Sequence, residues 1–134
     1  MISIIYGAKG SGKTKRIIDA ANAASEKASG QVIFITDNAQ SLGVNTDIRF
    51  INIAEYGVTS EEQFIGFIKG MLATNFDIQK VYIDSLSRLL DKPAEELKAV
   101  FDVLNKYTKD VDFIATVSAD KLPAFLKSYT VIKD

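Results

Sequence analysis

Gly7-Ala8-Lys9-Gly10-Ser11-Gly12-Lys13-Thr14 decides how the rest of this sequence is read. The stretch fits the phosphate-binding pattern G-x-x-x-x-G-K-[ST] at every fixed position. An apolar run, Ile2 to Tyr6, leads in, and a helical pattern over roughly Lys13 to Ser29 leads out. Glycines at 7, 10 and 12 let the backbone take positive φ and wrap closely around an anion. Successive N–H groups then point inward as an anion nest. The following helix aims its positive end at the same place. Lys13 adds a mobile charge for the β- and γ-phosphates. Thr14 offers a hydroxyl to Mg²⁺, which prefers hard oxygen ligands and needs few from the protein.

Moving outward, the apolar run before the loop suits a central parallel strand covered on both faces. Ile17, Ile18, Ala21, Ala24 and Ala28 give the next helix one buried face, and Gly30 is expected to stop it. Val32 to Ile35 reads as a second buried strand, ending at Thr36-Asp37-Asn38. A polar stretch runs on to Thr46-Asp47. Arg49 to Ala54 alternates as a short edge strand leading to Glu55. Ser60 and Gln63 have capping-box spacing and open a helix whose stripe of Phe64, Ile65, Phe67, Ile68, Met71 and Leu72 reads as core.

Val81-Tyr82-Ile83-Asp84 is the second chemical landmark, an apolar strand ending in a carboxylate that would face Mg²⁺. The plainer reading makes Asp84 a cap for the segment Ser85 to Leu90. A helix follows Pro93, with Leu97, Val100, Phe101, Leu104 and Tyr107 at helical spacing. Asp112 to Val117 is a strand ending at Ser118, and a short helix near Leu122 to Lys127 precedes a last strand near Tyr129 to Ile132. Alternating strands and helices predict a three-layer α/β/α fold around a mostly parallel sheet of five or six strands, one domain over residues 1–134. Ligands of such sheets lie at the carboxyl ends of strands. Those ends carry the loop 7–14, Asp37, Glu55, Asp84 and Ser118.

Composition narrows the chemistry. The 134 residues are 47% hydrophobic and 25% charged, as in an ordinary globular protein. Sixteen basic and seventeen acidic residues give a net charge of -1, with no bulk attraction to nucleic acid or an anionic membrane. Neither Cys nor His occurs, so thiolate and imidazole chemistry are excluded and any metal is a hard ion held by oxygen. Ile2 to Tyr6 is too short for a signal-peptide core, and no apolar stretch approaches the roughly 20 residues of a membrane span. The expected location is cytoplasmic.

The chain resembles the P-loop NTPase family through Gly7 to Thr14 and through Val81 to Asp84, which is similar to the Walker B motif. The alternating pattern extends that resemblance over the whole length. It points to the RecA-like or additional-strand branch, in which the strand after Walker B lies between it and the phosphate-loop strand and ends in a polar sensor residue. The resemblance makes Ser118 the sensor candidate, ahead of Thr116 inside the strand. Many such ATPases carry a Glu directly after the Walker B Asp, but here Ser85 follows Asp84. RecA-like proteins place their base on a neighbouring strand, which makes Glu55 and Asp37 the candidates for orienting water. Arg88 is a candidate finger for a neighbouring subunit, or else a solvated helix position. The sequence also resembles short bacterial proteins labelled ATP-binding, sometimes twitching motility PilT-like. PilT-type motors are longer, with His-bearing motifs and an acidic pair at Walker B, so the motor label does not carry over.

These readings predict an Mg²⁺-dependent ATP-binding protein with slow hydrolysis, in which Lys13 and the loop N–H groups stabilise phosphoryl charge and Thr14 with Asp84 holds the metal. Absence of a guanine signature favours ATP. A non-catalytic nucleotide-sensing module acting on a protein partner is the first alternative, and a nucleoside or nucleotide kinase the second. A nucleic-acid motor is disfavoured by the neutral charge balance.

Overall fold

The computed structural model describes residues 1–38 and 43–133. Positions 39–42, within the polar stretch after the second strand, lie outside the described residues. A six-stranded sheet, parallel at every pairing, runs through the molecule in the order β3-β2-β4-β5-β1-β6. The strands are β1 (Ile2–Gly7), β2 (Gln31–Thr36), β3 (Arg49–Asn52), β4 (Ile78–Ile83), β5 (Asp112–Ser118) and β6 (Thr130–Lys133). Among the described residues four α-helices join them: α1 (Lys13–Lys27), α2 (Glu61–Thr74), α3 (Leu86–Leu90) and α4 (Lys98–Asn105). Short 3-10 turns occupy Ile53–Tyr56, Ala94–Glu96 and Ala124–Ser128.

The apolar runs form central strands because both faces of the sheet are covered. Along β2, Ile33 and Ile35 point to one face and Val32 and Phe34 to the other. Strand β4 repeats this with Val81 and Ile83 opposite Tyr82. The larger core packs the first set against Phe64 and Ile68 of α2, Leu86 and Leu90 of α3, and Val100, Phe101 and Leu104 of α4. The smaller packs the second set against Ile17 and Ala21 of α1 and against Ile48. Each of the Val, Leu, Ile and Phe side chains here, when fully buried, contributes roughly 1.5–3 kcal/mol relative to exposure.

This lopsided covering follows from topology. A right-handed crossover puts its helix on one face when the chain steps one way along the sheet, and on the other when it steps back. From β1 to β2 to β3 the chain moves toward one edge, and α1 and Ile48 lie on one face. From β3 through β4 and β5 it moves back, and α2, α3 and α4 lie on the other.

Local chemistry departs from the sequence expectations at three places. Gly30 does not terminate α1, which ends at Lys27 with Ala28 extended. Gly30 is needed because a Cβ there would lie 2.3 Å from the backbone oxygen of Asp77, where the β2 and β4 entries cross. The edge strand stops at Asn52, whose side chain accepts the Ala54 N–H and starts the 3-10 turn that carries Glu55. At α2 the Ser60 hydroxyl accepts the Gln63 N–H as expected, but Gln63 returns its bond to the N–H and hydroxyl of Thr59 rather than to Ser60. The described residues include no helix long and apolar enough to cross a membrane.

Candidate functional site

The loop between β1 and α1 closes on itself. Ser11 N–H donates to the Ala8 carbonyl at 3.1 Å, and the ammonium of Lys13 donates to the same oxygen at 2.8 Å. Lys13 therefore lies across the loop, only 7% exposed, on the first residue of α1. Gly10 and Gly12 take φ of 82° and 101°, values that L side chains rarely adopt. Gly7 does not: it ends β1 in register with Ser118, and its carbonyl accepts the Ala119 N–H at 3.0 Å. Its expected positive φ is thus absent, because the last residue of a paired strand stays extended. Ala8, Lys9, Gly10, Ser11 and Gly12 are exposed, and the first turn of α1 holds no acidic side chain to compete for its free N–H groups.

Asp84 follows β4 and is 3% exposed. It does not cap α3, whose preceding residue Ser85 makes no side-chain cap bond. Instead its carboxylate collects hydroxyls from different parts of the rim. Thr116 Oγ1 donates to Oδ1 at 2.9 Å, Thr14 Oγ1 lies 3.1 Å from Oδ2, and Ser85 Oγ is 3.3 Å from Oδ1. No cation among the described residues stands within salt-bridge distance of it. A buried carboxylate without a paired cation is costly. The Thr14 hydroxyl beside it makes a hard-oxygen pair that fits Mg²⁺ sharing its remaining positions with phosphate and water. The described residues hold no cluster of three or more acidic side chains that would cage a metal unaided.

Thr116 is the residue that sequence reasoning undervalued. It is fully buried on β5, between the loop strand β1 and the Asp84 strand β4. It donates to Asp84 and accepts the Ser85 N–H at 2.6 Å, holding Ser85 in a left-handed conformation with φ 65°. A polar residue interrupting Phe113–Val117 was the available signal. Replacing Thr116 by Val keeps the shape but strands a buried acceptor and a backbone donor, so a loss of about 2–3 kcal/mol is expected in urea unfolding. Thr116→Ser keeps the hydroxyl and is expected to lose about 1 kcal/mol or less, the scale of a deleted methylene. A Val variant as stable as the wild type would refute this role for the hydroxyl.

Ser118, one pleat further along β5, borders a concavity of about 300 Å³ together with Lys9, Gly10, Gly12, Lys13, Thr14, Ser85 and Arg88. Asp37 stands past the end of β2, the strand next to β4 on the side away from β1. It is held by Arg88, whose Nε donates to its two oxygens at 3.1 and 2.9 Å while Nη2 donates to Oδ1. That hydrogen bond raises the guanidinium pKa further against the opposing effect of burial, and the charges of Asp37 and then Asp84 add smaller upward contributions. Arg88 thus reaches along the rim to Asp37 while its side chain remains 57% exposed. Glu55 is exposed on the turn after the edge strand β3. Four strand spacings separate β3 from β1, about 19 Å, so the structure does not bring Glu55 to the loop.

An all-parallel sheet in which β5 lies between β4 and the loop strand β1 is the arrangement expected of the additional-strand branch. The protein has a RecA-like P-loop fold. Its structure is similar to that of the flagellar accessory protein FlaH from Methanocaldococcus jannaschii, with a TM-score of 0.60 and 18% sequence identity, over 95% of this chain and 65% of that one. The chain thus spans about 65% of the length of this structural relative. No family model and no curated protein matches the sequence.

Proposed function

We propose that this protein binds a nucleoside triphosphate, ATP, together with Mg²⁺ at the rim formed by residues 7–14, Asp84 and Ser118, and hydrolyses it slowly in the cytoplasm. The observation that carries the reading is the buried Asp84 carboxylate, which meets the Thr14 hydroxyl at the foot of a self-closed phosphate loop. The loop N–H groups and Lys13 would bind the β- and γ-phosphates and stabilise charge on the transferred phosphoryl oxygens. Thr14 and Asp84 would hold Mg²⁺, which supplies charge neutralisation between the phosphates. Ser118, on the wall of the same concavity, would contact the terminal phosphate. Asp37, directly after the strand beside β4, takes the water-orienting role here; Glu55, at the far edge, does not.

Because Asp37 is engaged by Arg88 and Ser85 follows Asp84, non-catalytic nucleotide sensing is the second reading. Calorimetric titration with Mg-ATP and Mg-GTP, repeated in EDTA, tests the first. Micromolar binding that weakens about tenfold or more without metal is expected, since the metal neutralises charge at the phosphates. Binding indifferent to EDTA would remove Mg²⁺ from the site, and no binding would remove the nucleotide. Turnover well above the unassisted GTPase range of about 10⁻⁴ to 10⁻² per second would exclude the sensing reading.

A further inference from the structure

The Arg88–Asp37 pair lies where the two halves of the rim meet. Arg88 sits on α3, which is pinned by the buried Leu86 and Leu90, so a change of partner needs only its side chain to move. That side chain is 57% exposed and lines the concavity that also holds Lys13, Thr14, Gly12 and Ser118. Asp37, its present partner, directly follows β2, the strand beside the Asp84 strand. One guanidinium therefore faces two sites that want it: a carboxylate now, and a phosphate oxyanion when the loop is filled. Arginine forms bidentate, charge-assisted bonds with either, and it cannot shed its charge to avoid the choice.

We propose that Arg88 is the residue by which this site distinguishes a nucleoside triphosphate from a diphosphate, exchanging its ion pair with Asp37 for the terminal phosphate. The inference rests on the nucleotide-binding reading above. The exchange has two consequences. The terminal phosphate gains a cation that the phosphate loop does not provide. Asp37 simultaneously loses its partner and becomes available to accept a hydrogen bond from water at the same rim. In a diphosphate complex, or with the loop empty, Arg88 stays on Asp37 and the carboxylate is occupied. No covalent bond is made or broken by the exchange itself, and the net charge of the pair is unchanged.

The test is the ratio of the Mg-ADP and Mg-ATP dissociation constants, measured with a non-hydrolysable ATP analogue on the full chain. Arg88→Gln is expected to lower the preference for triphosphate about tenfold while changing Mg-ADP affinity less than about twofold. Asp37→Asn removes the competitor and is expected to raise the preference about three- to tenfold. Arg88→Gln combined with Asp37→Asn should match Arg88→Gln alone, because the second change acts only through the first. Both side chains are partly exposed, and the ligand-free melting temperatures of the variants control for folding. Mg-ADP bound normally with an unchanged ratio in Arg88→Gln, or no response to Asp37→Asn, would overturn the exchange and leave the nucleotide site standing. A wild type that binds neither nucleotide would overturn both.

Discussion

Lys13→Ala is expected to weaken Mg-ATP binding by about 10- to 100-fold while leaving the fold intact. The magnitude follows from a charged donor to phosphate, worth about 1.5–3 kcal/mol when lost. The preserved fold follows from what Lys13 touches. Among the described residues its ammonium bonds only the Ala8 carbonyl, and that oxygen keeps the Ser11 N–H in the variant. Lys13 is also a first-turn residue, so Ala at that position costs the helix nothing in propensity. The measurement is a paired one: calorimetric titration for affinity, and thermal unfolding without ligand for stability. A variant that binds as tightly as the wild type would show that the loop is a structural turn. A variant that unfolds would show that the lysine is a structural strut.

Phe101→Ala is expected to cost about 3–5 kcal/mol in urea unfolding, a large share of the roughly 5–15 kcal/mol that holds a domain folded. Phe101 is fully buried on α4. Its ring lies 6.3 Å from that of Phe125 and 5.9 Å from that of Tyr129, both tilted to it. These contacts fasten α4 to the 3-10 turn that delivers the chain into β6, and aromatic pairs add about 0.5–1.5 kcal/mol beyond area. Phe76→Ala is the matched control, because that ring is fully exposed after α2 and its loss should fall within about 0.5 kcal/mol. Equal effects of the two substitutions would show that burial does not set the cost.

Residues close in sequence made the fold and half of the site readable. Loop 7–14 carries its own pattern, and every strand announced itself by an apolar run or an alternation. Long-range pairing could not be seen in the same way. Thr116 meets Asp84 across 32 positions and Arg88 meets Asp37 across 51. Nothing local tells a buried hydroxyl that serves a carboxylate from one that merely tolerates a strand. Glu55 looked favourable because a strand was extended to Ala54, and one side-chain cap at Asn52 was enough to end it early. The order of strands came from resemblance, not from periodicity, and only that order shows Asp37 beside β4 and Glu55 remote.

The sheet order also fixes when the site can exist. Of the six strands of the sheet, β1 is made before the others, yet its neighbours on both sides, β5 and β6, are made after β2, β3 and β4. Until residue 112 emerges, loop 7–14 hangs from a strand that lacks both of its neighbours in the sheet, while β2, β3 and β4 can already assemble. Insertion of β5 joins the strand before the loop to the strand before the carboxylate, and it brings Thr116 to Asp84. Such pairing of distant segments is slow in folding because loop closure precedes any reward. A growing chain therefore carries its most distinctive stretch, residues 7–14, through the synthesis of β2, β3 and β4 before that stretch gains a neighbouring strand.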